Sequence, residues 1–331
     1  MKIGIIGAGW IAGKMGETLC GLPAEKGLEK YAIASRDIVK ARDIVKARGF
    51  AQAYGFEKAY GSYKELVDDP EVDLVYIATP HSHHYAHSKL ALEAGKPVLC
   101  EKAFMANARE AEEILNLAHK KGIFITEAIW TRYMPLSLKV KELLDAGEIG
   151  EPRIVNASLC YYMDHKERIL RPELCGGALL DLGVYSINFA RMYFGSDFAS
   201  CISSCTRFST GTDRHNHIIL TYKDGRVANL QASAGGLSNR EGQIIGETGY
   251  IVVENINCPE RVTVWHNYKK TAEFLPPADQ VTGYEHQVFA SKDAIEKGLI
   301  ESPYMPHQET LDIMRQMDAL RQEWGIRYPM D

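Results

Sequence analysis

MKIGIIGAGWIA, residues 1–12, joins an apolar run to a glycine-rich segment, and a helical pattern follows directly. This order predicts a buried strand, a tight turn and the start of a helix. Gly7 permits the turn, Gly9 leaves the backbone open to a diphosphate, and Ala12 lets the helix pack closely on the strand. Because free N–H groups at a helix start attract phosphate, we predict a dinucleotide site here and prefer it to a purely structural turn. The predicted cofactor residues are Gly7, Gly9, Trp10, Ile11 and Ala12.

Composition restricts the class of protein. The 331 residues are 46% hydrophobic and 24% charged, which is ordinary for a globular chain of two domains. A net charge of −5, without a long run of either sign, argues against nucleic acid or an anionic membrane as a partner. Because no apolar stretch reaches membrane-spanning length and a strand pattern follows Met1, we expect a cytoplasmic protein without a signal peptide. The seven scattered cysteines fit reduced thiols rather than a zinc site.

Strand and helix patterns alternate through residues 1–125. This alternation predicts an NAD(P)-binding Rossmann domain, a doubly wound parallel sheet with its ligand site at the carboxyl ends of the strands. The predicted strands are Ile3–Ile6, Tyr31–Ala34, Leu74–Ala78, Val98–Cys100 and Ile123–Thr126, and the predicted helices include Ser82–Ala94 and Asn107–Lys121, the second capped by Asn107.

The pattern changes near Glu127, and residues 126–331 predict an α+β domain for substrate binding and oligomerisation, with an open, mostly antiparallel sheet. Asp224–Gly225 and Thr248–Gly249 predict turns. Because an open sheet leaves a face to cover, we expect a homodimer or homotetramer that forms through it. The predicted strands are Arg153–Tyr161, Cys201–Phe208, His217–Tyr222, Val227–Ala232, Gln243–Val253 and Arg261–His266, and the predicted helices are Gly177–Phe194, Glu285–Lys297 and His307–Trp324.

The second predicted strand leads into Ser35, Arg36 and Asp37. A hydroxyl and a guanidinium at this strand end suit the 2′-phosphate of NADP, so Ser35 and Arg36 favour NADP. Asp37 leaves NAD as an alternative cofactor, because a shift of two residues along the chain would place the Asp37 carboxylate at the ribose. The hexapeptide DIVKAR is duplicated over Asp37–Arg48, and we interpret the added helix length of about 9 Å as a surface extension.

A turn and a pair of charges follow the next two strands. Thr79 and Pro80 are expected to wall the nicotinamide, and the four histidines of residues 81–87 lack a neighbouring carboxylate or cysteine, so we expect no metal. Lys102 is costly to desolvate unless it faces an anion or a developing alkoxide, so near a nicotinamide it would stabilise a substrate oxygen or lower the pKa of a neighbouring acid. The alternative is a strand-end salt bridge of Glu101. The cofactor residues predicted here are Thr79, Pro80, His81, His84, Glu101 and Lys102.

The long apolar helix carries a narrow polar stripe, in which Asp181, Tyr185 and Asn188 recur at helical spacing. A carboxylate inside an apolar helix needs a partner, and either a substrate hydroxyl or Lys102 would serve. The alternative is a buried structural network. Arg168, in a charged segment before the helix, is a further candidate for contact with the substrate.

These motifs, in this order, resemble the Gfo/Idh/MocA family of NAD(P)-dependent oxidoreductases, in particular the branch with dimeric dihydrodiol dehydrogenase, NADP-dependent xylose dehydrogenase and glucose-fructose oxidoreductase. The resemblance spans nearly the whole chain and is carried by GAGWIA, ASRD, VYIATPHSHH, ALEAGKPVLCEKA, TEAIWTRYMP and GGALLDLGVYSI. It implies a Rossmann domain followed by an α+β domain whose sheet forms oligomer contacts.

The resemblance also implies residue roles. Lys102 would lie beside the nicotinamide, Tyr185 would act as general acid and base with electrostatic support from Lys102, and Asp181 would orient the substrate. Trp130 and Arg132 would line the substrate pocket. Lys102 acting alone as acid and base is the alternative.

Ala103 stands where the family motif has proline, so the turn after Lys102 loses a fixed φ. The expected activity is hydride transfer between a nicotinamide, NADP in preference to NAD, and a sugar, polyol or vicinal diol. The alternatives are a non-catalytic sensor that binds dinucleotide and sugar, and an enzyme whose tightly held cofactor cycles without release.

Overall fold

The computed structural model describes the backbone of residues 1–35 and 40–331, and the side chains of residues 1–35 and 45–331. Over this part of the chain, no helix combines the length and the apolar character needed to cross a membrane. Two compact units form.

The first unit combines Met1–Ala128 with Gln280–Met314, and the second combines Ile129–Asp279 with Arg315–Asp331. The sequence predicts a division between residues 125 and 126. It assigns Gln280–Met314 to the second domain, whereas this segment clusters with the first unit in the structure.

The first unit is built on six strands: β1 (Lys2–Ile6), β2 (Glu29–Ala34), β3 (Lys58–Tyr60), β4 (Leu74–Ile77), β5 (Val98–Glu101) and β6 (Ile125–Ala128). Their spatial order is β3-β2-β1-β4-β5-β6, and all neighbouring pairs run parallel. This order confirms the predicted doubly wound sheet. The sequence did not predict β3, because three residues are too few to show a period.

The register of this sheet brings four strand ends to one edge. Ile6 pairs with both Ala34 and Ile77, and Ile77 pairs with Cys100. Since parallel strands present their carboxyl ends together, the segments after β1, β2, β4 and β5 all begin at this edge. The helices of the unit are Trp10–Gly21, Lys40–Tyr54, Tyr63–Asp68, His84–Glu93, Ala108–Lys121 and Glu285–Glu296.

Two contacts explain why Gln280–Met314 belongs to the first unit. The hydroxyl of Thr282 lies 2.6 Å from that of Thr18 in the first helix. The Nε2 atom of His307 lies 2.9 Å from the carbonyl oxygen of Ile125 in β6. The two partners in each contact are far apart along the chain, so no local sequence pattern predicts these contacts.

The second unit is built on eight strands: β7 (Pro152–Cys160), β8 (Phe198–Arg207), β9 (Asp213–Tyr222), β10 (Val227–Ser233), β11 (Gly242–Gly246), β12 (Tyr250–Glu254), β13 (Arg261–His266) and β14 (Lys269–Phe274). Their order is β14-β13-β12-β11-β7-β10-β9-β8. Only β7 and β10 pair in parallel, which confirms the predicted, mostly antiparallel sheet. β7 joins two antiparallel meanders, since it pairs with β10 on one side and β11 on the other.

One face of the eight-stranded sheet is covered and the other is open. The helix Val184–Phe194 packs against β7 and β10 on the covered face. On the strands at the other face, Ile202 is 68% exposed and Ile219 is 42% exposed, while the rings of Tyr250 and Trp265 stack with centroids 5.8 Å apart. The sheet is therefore open, as the sequence predicts.

The apolar helix expected over Gly177–Phe194 starts later and changes type. Leu179–Gly183 forms a π-helical turn and Val184–Phe194 an α-helix. Gly177 lies outside the helix, with φ at +116°, and a Cβ there would lie 2.1 Å from Oδ1 of Asp213. The further helices are Pro135–Asp145, Glu167–Leu170 and His307–Glu323.

Candidate functional site

The glycine-rich turn after β1 has the geometry that a diphosphate needs. Gly7 has φ at +100°, and a Cβ there would lie 2.8 Å from the carbonyl oxygen of Ala78. Within the described residues, a Cβ on Gly9 would meet nothing within 4 Å, and Gly9, the N-cap of the helix that starts at Trp10, has no side chain with which to cap it. Ala12 is fully buried. The turn is thus open at Gly9, the first N–H groups of the helix follow it directly, and these residues fit a dinucleotide.

The neighbouring residues frame this turn on the same unit. Trp10 is 74% exposed, with the Lys14 ammonium 5.9 Å from its ring centroid. Ile11 is partly exposed. Ser35 is buried directly after β2. Arg36, the residue predicted to select NADP, lies outside the described residues.

Thr79 and Pro80 follow β4, and histidines hold the turn that they form. The Thr79 hydroxyl lies 3.0 Å from Nδ1 of His87. His84 has no exposed surface: its Nε2 lies 2.8 Å from the Thr79 carbonyl oxygen and its Nδ1 lies 3.0 Å from that of Ala103. The ring of His84 therefore lies between the carbonyl oxygens at the ends of β4 and β5 and, when neutral, donates to one of them.

Burial lowers the pKa of His84 to about 4, so its imidazole is neutral near neutral pH. A buried neutral ring between two backbone segments favours a scaffolding role over direct contact with a ligand. In the described part of the chain, no group of three histidine, cysteine, aspartate or glutamate side chains is arranged to hold a metal ion.

Glu101 and Lys102 end β5 at the same edge. The hydroxyl of buried Tyr76 donates to the Glu101 carboxylate, which also accepts from the Lys102 backbone N–H at 3.3 Å. The Lys102 carbonyl oxygen lies 3.1 Å from Nε2 of His81. The peptide bond between Lys102 and Ala103 is cis. Tyr76 in β4 and His81 in the segment after β4 thus fix the backbone that carries Lys102.

In the second unit, the polar stripe of the apolar helix is buried and partnered. Asp181, Tyr185 and Asn188 are 4%, 6% and 0% exposed. Arg168 donates to Asp181 end-on, with Nη1–Oδ1 and Nη2–Oδ2 distances of 2.7 Å and 3.0 Å. Burial alone would lower the pKa of Arg168, but the attraction of Asp181 outweighs it and raises that pKa. The guanidinium of Arg168 therefore stays protonated beside the Asp181 carboxylate.

A single turn, Trp130–Tyr133, supplies partners for the other two members of the stripe. The indole Nε1–H of Trp130 donates to the Tyr185 hydroxyl oxygen at 2.8 Å. The Nε–H of Arg132 donates to Asn188 Oδ1 at 2.5 Å. The sequence predicts Trp130 and Arg132 as residues of the substrate pocket, and the structure shows in addition that they hold the stripe.

Sequence reasoning missed Asp213, a fully buried carboxylate in β9. Its Oδ2 accepts the Leu179 backbone N–H at 2.7 Å and an Asn216 side-chain N–H at 2.9 Å. It therefore holds the first turn of the segment that carries Asp181. The available sequence signal was an aspartate at the start of an apolar strand, which by itself is weak evidence for a role in the site.

Comparison with known proteins identifies the family of this chain. Residues 1–128 match the sequence model of the Gfo/Idh/MocA oxidoreductase family with an NAD-binding Rossmann fold. Residues 137–252 match the C-terminal domain of the same family. The chain belongs to the Gfo/Idh/MocA family. This confirms the predicted fold, oxidoreductase class and nicotinamide dinucleotide cofactor of this family member.

Curated relatives share about a third of their residues with this Gfo/Idh/MocA protein. D-xylose 1-dehydrogenase (NADP(+)) of Hypocrea jecorina is 34% identical over 81% of this chain and 77% of its own. Trans-1,2-dihydrobenzene-1,2-diol dehydrogenase of Mus musculus is 33% identical over 100% of this chain and 99% of its own.

Solved structures share the fold of this family member. A 3-ketoreductase from Actinomadura kijaniata, in complex with NADP and TDP-benzene, superposes with a TM-score of 0.84 at 26% identity, covering 99% of this chain and 98% of its own. An aldose-aldose oxidoreductase from Caulobacter crescentus, also with a TM-score of 0.84, covers 97% and 96% of the two chains at 21% identity and supports the fold alone.

Proposed function

We propose that this protein is an NADP-preferring dehydrogenase or reductase that acts on a sugar, a polyol or a vicinal diol. The names of its relatives support this substrate class, because they include a D-xylose dehydrogenase and dihydrodiol dehydrogenases. Ser35 and Arg36 support NADP, since a hydroxyl and a guanidinium suit a 2′-phosphate.

The partnered polar stripe is the observation that carries the proposal. An apolar helix that buries an ionised carboxylate, a phenol and an amide on one face is not explained by packing alone. Asp181, kept charged by Arg168, offers carboxylate oxygens to substrate hydroxyl groups. Adjacent hydroxyls of a sugar or diol are the groups that such an acceptor would orient.

The proposed roles follow from the chemistry of each side chain. Tyr185 takes the proton of the substrate hydroxyl as the alcohol becomes a carbonyl, and returns it in the reverse reaction. Lys102 stabilises the charge that develops on the substrate oxygen, and Asp181 orients the substrate. The nicotinamide of a bound cofactor would supply or take up the hydride. The cofactor would be held by the open turn at Gly7 and Gly9.

Assembly and location are part of the same proposal. The open face of the eight-stranded sheet, with Ile202, Ile219 and the stacked Tyr250 and Trp265, would pair with a second copy in a homodimer or homotetramer. The expected cytoplasmic location stays a prediction from the sequence.

The first experiment is binding of NADP(H) and NAD(H) to the purified protein, followed by a panel of sugars, polyols and diols monitored through the absorbance of reduced nicotinamide. We expect tighter binding of NADP(H) and turnover of at least one panel member. Arg36→Ala should narrow the difference between the affinities for NADP(H) and NAD(H). Tight binding without turnover of any member would instead favour the non-catalytic sensor, and cofactor that survives purification would favour internal cycling.

A further inference from the structure

We propose that Trp130 is a positioning residue for proton transfer, because its indole N–H directs the Tyr185 hydroxyl and stabilises the deprotonated oxygen. This inference rests on the proposed role of Tyr185 as general acid and base. It assigns to Trp130 a function in the chemical step that differs from lining a substrate pocket.

The hydrogen bond has only one possible direction. An indole nitrogen donates and cannot accept, so the Tyr185 oxygen is the acceptor at 2.8 Å. The hydroxyl proton of Tyr185 must then point away from Trp130. A phenol whose proton direction is fixed before substrate arrives is prepared for transfer along one path.

The surroundings of Trp130 hold the donor in place. Trp130 and Tyr185 are 7% and 6% exposed, so little water competes for the bond. The adjacent Thr131 hydroxyl donates to the Ile256 carbonyl oxygen at 2.7 Å. Arg132 donates to Asn188, which lies three residues beyond Tyr185 on the same helix. The two residues that follow Trp130 thus anchor the turn that carries the indole.

The bond becomes stronger when Tyr185 loses its proton. A hydrogen bond to a charged oxygen is roughly twice as strong as one to a neutral oxygen, so the indole favours the phenolate. Alcohol oxidation needs the deprotonated tyrosine, and its rate rises with pH as that form accumulates. Removing the N–H should therefore move the acidic limb of the pH profile to higher pH.

The experiment compares kcat/KM for alcohol oxidation against pH in the wild type, Trp130→Phe, and a variant with 3-benzothienylalanine at position 130. The benzothienyl ring keeps the bicyclic shape and lacks the N–H. We expect the acidic limb to move up by about one pH unit in both variants, with about a tenfold loss of kcat/KM below the limb. NADP(H) binding should be unchanged.

Trp324→Phe is the matched control. Trp324 is 6% exposed, lies in the same unit, and its indole donates to the Ser203 hydroxyl at 2.8 Å. The Trp324→Phe variant therefore loses an equivalent hydrogen bond from an equally buried indole. The pH profile of its kcat/KM should match that of the wild type.

Two results separate failure of this inference from failure of the proposed function. If Tyr185→Phe abolishes turnover but the benzothienyl variant keeps the wild-type profile, the role of Trp130 is overturned and that of Tyr185 stands. If Tyr185→Phe turns over at the wild-type rate, the proposed role of Tyr185 fails and the inference fails with it. Should Trp130→Phe not fold, the benzothienyl variant decides.

Discussion

Arg168 and Asp181 form an end-on ion pair in which both Nη atoms meet the two carboxylate oxygens at 2.7 Å and 3.0 Å, and the partners differ sharply in burial. The Asp181 side chain is 6% exposed and that of Arg168 is 46% exposed. The arginine therefore reaches from solvent to a carboxylate inside the unit. Its planar fork matches a carboxylate in a way that a lysine ammonium cannot.

Arg168→Lys should raise KM for the substrate about tenfold while lowering kcat less, because Asp181 stays charged but loses its fixed orientation. Steady-state kinetics at saturating NADP(H) measure this. Arg171→Lys is the control, because Arg171 pairs on the surface with Glu167 and Glu173 in the same segment. Equal kinetic effects of the two variants would contradict the assignment of Arg168.

Tyr185→Phe should lower kcat by about a hundredfold or more, since general acid–base catalysis contributes on that order, and should leave NADP(H) affinity unchanged. Stopped-flow turnover and cofactor titration test the two halves of this prediction. Tyr193→Phe serves as control, because Tyr193 lies further along the same helix and donates to the Ser137 carbonyl oxygen. Activity of Tyr185→Phe within a few-fold of wild type would refute the assignment of Tyr185 as general acid and base.

Gly9→Ala should weaken NADP(H) binding about tenfold without changing the unfolding midpoint, because the new methyl group meets open space in the protein and blocks the approach of a diphosphate. Gly7→Ala should destabilise the fold, since φ is positive and Ala78 lies within contact. Gly49→Ala, another site with no described atom within 4 Å of the added Cβ, should leave NADP(H) affinity unchanged and raise the unfolding midpoint slightly, because Gly49 lies inside the helix Lys40–Tyr54. Calorimetric titration and thermal unfolding measure both, and unchanged affinity in Gly9→Ala would refute the predicted cofactor site.

Asp213→Asn should remove a pH dependence of stability. Burial raises the pKa of Asp213 to about 6, above the ordinary value near 4, so the folded state holds this proton more tightly than the unfolded state. The resulting stability is present below pH 4 and is lost as pH rises through 6. The free energy of unfolding of the wild type should fall relative to Asp213→Asn by about 2 kcal/mol between pH 4 and 7.

Denaturant unfolding of the two proteins at both pH values gives this difference. Asparagine keeps a side-chain oxygen that can accept the Leu179 N–H, so the variant should fold. A difference in unfolding free energy that does not change with pH would show that Asp213 is charged at no cost in the folded state.

Local patterns predicted the parts of the site that sequence neighbours build. The turn at Gly7 follows from the strand and helix around it, and the stripe that includes Tyr185 follows from helical spacing. Asn107 caps its helix as predicted, with Oδ1 accepting the Glu110 N–H at 2.9 Å. These features depend on residues within a few positions of one another.

Other features depend on partners that are distant in sequence. β14, with the sequence KKTAEF, shows no apolar alternation and is held by its pairing with β13. Asp213 reaches a helix that begins 34 residues earlier. The segment Gln280–Met314 joins the first unit through contacts with residues far earlier in the chain. No single window of sequence contains such relationships.

The central place of β7 has a consequence for how the second unit is made. Asn156 of β7 bonds on one side to Asn229 and on the other to Gln243, side chains that lie 73 and 87 residues later in the chain. During synthesis, β7 is made before the strands of either meander, so both of its edges stay unpaired until β10 and β11 have been made. Completion of this unit is therefore a late, non-local event, and slow folding and exposure of a bare strand follow from it. A chain stopped before β10 would carry that strand with neither neighbour.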